Sequence, residues 1–454
     1  VTTKETKAIN VRELALEIVT EVLENQKALS EVIHGVLDKY QYLPKQERAF
    51  LTRLSEGTIE TAIELDYIIE QFSTVKIKKM KTPIRNILRM GVYQLKYMNQ
   101  VPASAACNES VKLAAKKGFH NLKGFVNGIL RNVSGNIEKI SYPSRTQNIV
   151  KALSVSYSMP EWILEMWNRQ MEREQIEKVL KAFLEERKTV VRCNTEKITA
   201  NDFKNLLLEH EIIVEDGAYC PTAFRISNYD TIRRIPGFQE GYFIVQDESS
   251  MLSVLCAGIE KENHVMDVCA APGGKTLFAA ELLKGTGKIL SYDISQYKVD
   301  FIEENKKRLG INNVETGVQD ASVYRKEYEQ SQDIVIADLP CSGLGIIGNK
   351  PDIKYHCTLE GIHQLVDIQR KILSVVSQYV KKGGVLIYST CTLNKMENIE
   401  NTVWFQEQFD FELESLDPYL PDALKSDTTK KGYLTLLPGI NKSDGFFIAR
   451  FRKR

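Results

Sequence analysis

Long hydrophobic runs are missing from this 454-residue chain, and no apolar stretch approaches the ~18–20 residues needed to cross a bilayer. The opening residues, VTTKETKAIN, carry no apolar core of the signal-peptide kind. Both absences predict a cytoplasmic protein with no membrane partner. The cysteines Cys107, Cys193, Cys220, Cys256, Cys269, Cys341, Cys357 and Cys391 include no CxxC pair, which argues against zinc, and no metal is expected. Free thiols in a reducing compartment fit better than disulfides. No internal repeat or low-complexity tract is visible. Charged and apolar fractions of 26% and 43% are those of ordinary globular protein, and the length suits roughly three domains.

Two familiar nucleotide-binding spacings are absent as well. Val265 to Thr276, VMDVCAAPGGKT, is a short apolar run with an acid in it, then a glycine-bearing loop, leading into the helical LFAAELL. This predicts a strand, a tight turn and a helix N-terminus. The P-loop spacing needs a glycine where Cys269 stands, and Ala271, Gly273 and Thr276 break the dinucleotide spacing. Glycines still let a ligand approach the backbone, and free N–H groups at a helix start attract a carboxylate or phosphate. The next strand, KILSYD, ends at Asp293, 19 residues past Gly274, where an acid is placed to bond ribose hydroxyls. An adenosine with an amino-acid tail suits both features, and S-adenosylmethionine has that shape. An ordinary glycine turn of a parallel sheet is the plainer alternative.

The net charge of +1 conceals an asymmetry. Between Lys76 and Arg131 twelve Lys and Arg face one acid, Glu109. A solvated helical surface carries some such charge, but so one-sided a balance suggests a polyanion such as nucleic acid. Residues 8 to 135 read as nearly all helix, from VRELALEIVTEVLEN to KGFVNGILRNVS. Pro83 suits a first helical turn, and Val101-Pro102 is a break. Residues 136 to 160 read as a connection, followed by a helix after Pro160 with Trp162 and Trp167 in its core. A small α+β module fills about 160 to 240, with strands at KTVVRCNTEKIT, EIIVEDG, FRISN and YFIVQD and a helix at DFKNLLLEHE. Arg192 and Asn194 beside its first strand are candidates for RNA phosphate contacts, with a structural role for Asn194 as the alternative. From Phe243 strands and helices alternate, which predicts a mostly parallel sheet covered on both faces, with ligands at the carboxyl ends of its strands.

At two such ends stand DLPCSG and STCT, placing Cys341 and Cys391, 50 residues apart, on neighbouring strand tips. A lone cysteine is usually core filler. Two at strand tips near a nucleoside loop suit alkylation of an unreactive ring carbon. Cytosine C5 becomes nucleophilic once a thiolate adds at C6, and a base must then remove the C5 proton. A carboxyl group near N3 offsets the charge that develops, and Asp338 is the candidate for that cytosine contact.

These strings carry a resemblance. AFLTRLSEGTIE, ILRMGVYQL, VPASAACNESVKLAAKKG and KGFVNGILRNV resemble the NusB family of helical RNA-binding domains. MDVCAAPGGKT, DLPCSGLG, NKPDIKY, YSTCTLNKMENIENTV and DGFFIARF, in this order, resemble the Nol1/Nop2/Sun family of RNA cytosine-C5 methyltransferases, as do FIVQDESSMLSVL and YSMPEWILEMW upstream. The combined layout resembles the bacterial RsmB (Sun/Fmu) type that acts on 16S rRNA. The resemblance implies a multidomain protein: a NusB-like all-α RNA-binding bundle at 1–140, a connecting helix and small α+β RNA-binding module at 141–240, and a Rossmann-like α/β methyltransferase domain with a mostly parallel seven-stranded sheet at 241–454. It implies S-adenosylmethionine as cofactor and 16S rRNA, not DNA, as partner, with a monomer expected. The nucleophile falls on Cys391 and the cysteine that assists product release on Cys341. Cofactor contacts fall on Cys269, Ala270, Ala271, Pro272, Gly273, Gly274 and Lys275, on Asp293 for the ribose, on Asp320 near the adenine, and on Lys298 and Asp338. Gly348 and Asn349 stand where relatives often have arginine, so RNA contact in that loop rests on Lys350 and Lys354. DLPC replaces the usual DAPC, a change expected to be tolerated. The rivals are a non-catalytic RNA-binding factor with a vestigial methyltransferase domain, and a methyltransferase of tRNA or DNA. Both cysteines and the cofactor acids argue against the first, and DNA enzymes use the PC cysteine as nucleophile.

Overall fold

The computed structural model describes residues 10–454, so the reading of the N-terminal stretch as lacking a signal core lies largely outside the described residues. The helical periodicity near the N-terminus is realised as α1 (Val11–Leu23), α2 (Leu29–Lys39), α3 (Lys45–Glu60), α4 (Ala62–Gln71), α5 (Thr82–Tyr97), α6 (Ala103–Lys116) and α7 (Lys123–Gly135). Asn10 caps α1 by accepting from the backbone N–H groups of Arg12 and Glu13. Leu14, Ile18 and Val22 then fall on one face and are buried. Pro83 sits in the first turn of α5. Gly57 in α3 lets the Tyr93 ring of α5 lie close, since a Cβ there would stand 2.0 Å from the Tyr93 hydroxyl.

The described residues up to Leu184, together with Ile347–His356, make one compact unit. Its further helices are α8 (Ile149–Ser156), α9 (Glu161–Asn168) and α10 (Arg173–Phe183). Trp167 is fully buried against Phe183, whereas Trp162, expected in the same core, is only half-buried. The segment Ile347–His356 corrects a second expectation. Lys354 is buried and donates to the Glu60 carbonyl at 2.7 Å, so it is a bundle residue and not an RNA contact. Tyr355 donates to the Ile59 carbonyl at 2.8 Å, and Asp352 accepts from the Leu29 N–H at 3.1 Å. Lys350 alone remains exposed for the role expected of the pair.

Glu185–Ile346 and Cys357–Arg454 make the other unit. Its smaller sheet is antiparallel in the order β2-β3-β1-β4, from β1 (Thr189–Cys193), β2 (Ile213–Asp216), β3 (Ala223–Ser227) and β4 (Phe243–Val245). Val191, Phe203 from α11 (Ala200–Glu209), Phe224 and Phe243 form its core. The larger sheet follows the order β10-β12-β9-β8-β5-β6-β7. These strands are β5 (His264–Asp267), β6 (Lys288–Asp293), β7 (Val314–Val318), β8 (Gln332–Asp338), β9 (Val380–Thr390), β10 (Phe411–Leu413) and β12 (Phe446–Lys453). A short β11 (Tyr433–Leu436) pairs with β12 beyond β10, so the two fill one strand position in tandem. The pairs among β5 to β9 are parallel, and those made by β12 are antiparallel. After β7 the chain returns to the other side of β5, so the topological switch point lies between β5 and β8. A crevice opens at such a point beyond the carboxyl ends of the strands.

Candidate active site

The crevice is present and is built from the strings singled out in the sequence. A pocket of about 200 Å³ is lined by Cys269, Ala270, Ala271, Pro272, Gly274, Lys275 and Asp338, joined by Val245, Gln246, Asp247, Ser250 and Asp267. Gly273, with φ of +103°, turns the chain from this loop into α12 (Gly274–Leu282). Asp293 is buried at the tip of β6, where its Oδ2 accepts from the Ala271 N–H at 3.0 Å and its Oδ1 from the Ile294 N–H at 2.7 Å. Lys298 approaches the same Oδ1 at 3.1 Å, so its place beside the ribose acid is an ion pair. Asp320 lies outside the pocket, exposed just past β7, and the Ser322 N–H holds its carboxyl below the usual range.

Asp267 was legible only as the acid within an apolar run. It is buried at the tip of β5, where Thr276 donates to its Oδ2 at 2.7 Å and no group among the described residues hydrogen-bonds its Oδ1. Burial pushes its pKa up to about 7, against the pull of the Thr276 hydroxyl. An unsatisfied carboxylate oxygen in a pocket lined by a second acid fits a ligand bearing positive charge, and S-adenosylmethionine carries both an ammonium and a sulfonium. Lys275 ties the loop to the tip of β8 by a 2.7 Å contact to Asp338 Oδ2, while Ser389 donates to Asp338 Oδ1 at 2.7 Å. Burial alone would lower the Lys275 pKa, but Asp338, Asp267 and Cys391 hold it above the ordinary lysine value.

Beyond these strand tips the two cysteines come together, with Sγ atoms 3.4 Å apart and both side chains half-buried. The hydrogen bond with Cys391 raises the Cys341 pKa well above the usual thiol value, and burial and the charges of Cys391 and Glu397 add to it. The PC loop and the TC loop are joined by a Gly345 N–H that donates to the Cys391 carbonyl at 3.0 Å. Gly445 closes on the same place, and a Cβ on Gly345 would fall 2.2 Å from its carbonyl oxygen.

Arg192 and Asn194, candidates for RNA phosphates, are both buried, and their role is structural. Arg192 donates to Gln246 at 2.8 Å and pairs with Glu281, while Asn194 donates to the Gly241 and Leu309 carbonyls. The cationic stretch is also less bare than its sequence implies. Lys76, Arg85, Arg89, Lys96, Lys112, Lys116 and Lys117 pair with Glu70, Glu24, Asp66, Glu64, Glu109 and Glu13. Lys78, Lys79, Lys81, Lys123 and Arg131 are exposed, with no carboxylate partner among the described residues.

Comparison with known proteins matches three family models to the chain. The family model for the 16S rRNA methyltransferase RsmB/F matches residues 254–452, the NusB family model 9–135, and a ferredoxin-like domain of RsmF/B-like methyltransferases 159–232. The probable ribosomal RNA small subunit methyltransferase B of Bacillus subtilis (strain 168) is 35% identical over 453 residues, covering 99% of this chain and all of that protein. The protein called ribosomal RNA small subunit methyltransferase B in Escherichia fergusonii is 28% identical, over 99% of this chain and all of its own. The crystal structure of PH0851 shares the fold with a TM-score of 0.81 at 23% identity, over 98% of this chain and 99% of that one. The pocket at the switch point and these matches agree: the chain belongs to the RsmB/F family of 16S rRNA methyltransferases, S-adenosylmethionine-dependent enzymes of small-subunit rRNA.

Proposed function

We propose that the protein methylates C5 of a specific cytosine in 16S rRNA through a covalent bond between Cys391 and C6 of the base. S-adenosylmethionine supplies an electrophilic methyl group when bound, and the residues that would hold it are the loop Cys269 to Lys275, Asp267 and Asp293. The observation that carries the reading is the 3.4 Å approach of the two thiols at strand tips whose carboxylate, Asp338, is held by Lys275 and Ser389. Addition of the Cys391 thiolate to C6 moves the electron pair of the C5–C6 double bond toward C5. C5 then takes the methyl group from the sulfonium, which is left as a thioether, and transfer of the C5 proton to a base restores the double bond and expels Cys391 as thiolate. The direction of the Cys341 shift supports the division of labour, because a thiol held well above the ordinary range keeps its proton and is a poor attacking group. Cys341 is assigned to product release and Asp338 to the polar edge of the cytosine. The five exposed cations without carboxylate partners support RNA binding by the NusB-like helices.

The variants Cys341→Ala and Cys391→Ala test the assignment. Cys341→Ala should attack and methylate but stall before release, leaving a protein–RNA complex that survives denaturing electrophoresis. Cys391→Ala should neither methylate nor cross-link. If Cys391→Ala is the variant that traps RNA, the two roles are exchanged.

A further inference from the structure

Directly after each cysteine stands a hydroxyl residue that turns inward: Ser342 and Thr392 are buried where Cys341 and Cys391 are half-exposed. Their hydroxyl oxygens are 2.6 Å apart, and Ser342 also meets Glu397. A carboxylate only accepts, so the single Ser342 hydrogen points to Glu397 and the Thr392 hydroxyl donates to Ser342. Glu397 is fully buried on the turn between β9 and the helix Ile399–Gln408. Its Oε1 accepts from the Ser342 N–H at 2.8 Å and from Gln369 at 3.1 Å, and its Oε2 accepts from Asn394 at 3.0 Å as well as from Ser342. Gln369, on the helix Leu359–Val376, also donates to the Pro340 carbonyl at 2.9 Å, immediately before Cys341. The Tyr388 hydroxyl bonds the Glu397 carbonyl and so fixes its backbone to β9.

We propose that Glu397 is a positioning residue that locks the Cys341 loop against the Cys391 loop and so sets the contact between the two thiols. Resting on the cysteine roles proposed above, it goes beyond them by naming what sets the thiol–thiol contact. Four donors converge on one carboxylate, and it joins Ser342, Gln369 and Asn394 at a single point. An amide in that place has one acceptor oxygen, and its NH2 group would face donors already aimed at Oε1 or Oε2. A donor left unpaired in a buried site forces the loops apart. The position of Glu397 also matches its charge to its task, since a negative charge behind Cys341 disfavours a second one on that thiol.

The test is site-resolved alkylation of the full-length protein with iodoacetamide across a pH series, read by mass spectrometry at Cys341. In Glu397→Gln the Cys341 alkylation midpoint should fall by about one pH unit or more, because a neighbouring negative charge and the bond to Cys391 are both weakened. Methyl transfer should drop at least about tenfold through misplacement of the thiols, with S-adenosylmethionine affinity unchanged. A midpoint that stays in place in a folded Glu397→Gln protein overturns the proposal, since a merely structural role would lower stability without moving it. Should Glu397→Gln fail to fold, Ser342→Ala keeps the charge and removes the hydroxyl link. It should lose methyl transfer to a similar degree, and wild-type turnover by Ser342→Ala would equally overturn the proposal. The alkylation profile is read without RNA, so its outcome is separate from whether Cys341→Ala traps a covalent complex.

Discussion

Asp293 shows how much one residue is asked to do. Its carboxylate already takes the Ala271 and Ile294 N–H groups and the Lys298 ammonium, yet Oδ2, which accepts only from Ala271, keeps a second lone pair for a ribose hydroxyl. Asp293→Ala should weaken S-adenosylmethionine binding by ~1.5–3 kcal/mol, the scale of hydrogen bonds to a charged group. Titration calorimetry on a variant shown to be folded checks this, and unchanged affinity would remove Asp293 from the cofactor site. At this scale the sequence was most legible where a residue's chemistry is carried by its own short string. The glycine loop, Asp338, Cys341 and Cys391 were of this kind, and the structure brings them together. Glu397 was not. It sits in the quoted string YSTCTLNKMENIENTV, but nothing local says that its partners are Ser342 and Gln369, which come from other parts of the chain. Arg192 was misread for a related reason. A cation on a strand looks solvent-facing until β1 is seen to lie between β3 and β4, with Glu281 waiting to pair with it.

Among the elements, Ile347–His356 departs furthest from expectation. In sequence it follows the PC motif and reads as a substrate loop, but its side chains belong to the helical unit. Lys354 makes the consequence measurable. Burial lowers its pKa from 10.5 to about 8, with only partial compensation by Glu60. Between those values the unfolded chain binds a proton that the folded chain does not, so this group's contribution to stability rises with pH through that window. Below about pH 8 the buried ammonium carries its full desolvation cost. Lys354→Met should therefore be more stable than wild type at pH 7, by about 1–3 kcal/mol, within the ~1–4 kcal/mol by which apolar replacement of buried ion pairs can stabilise a fold. The difference should shrink toward pH 10.5. Thermal melts of both proteins at several pH values decide it, and a pH-independent difference would mean that Lys354 is not titrating there. Helices and strands themselves were readable from their apolar patterns, as in β5 and β6, where nearly every residue after the first is buried. The pairing of β10 and β11 in tandem along β12 was not, since three- and four-residue strands leave too short a pattern.

For the whole molecule the substrate is a polyanion, and the electrostatics must be reckoned after internal pairing. Seven of the twelve cations between Lys76 and Arg131 pair with acids, which leaves five. If all five meet phosphates, the slope of log K against log salt should be about −3.5, at roughly 0.7 per single-strand contact. Replacing Lys78, Lys79 and Lys81 by Ala should flatten it by about 2 and weaken RNA binding without changing cofactor affinity. A slope that the triple substitution leaves unchanged would make that cluster an ordinary solvated surface. The central claim concerns which atom of the RNA is methylated. It is tested most directly by incubating the protein with small-subunit rRNA from cells lacking the gene and S-adenosylmethionine labelled in its methyl group, then digesting the RNA to nucleosides. The account predicts that the label appears in 5-methylcytidine and disappears with Cys391→Ala. Label in any other nucleoside, or label in 5-methylcytidine that persists without Cys391, would contradict it.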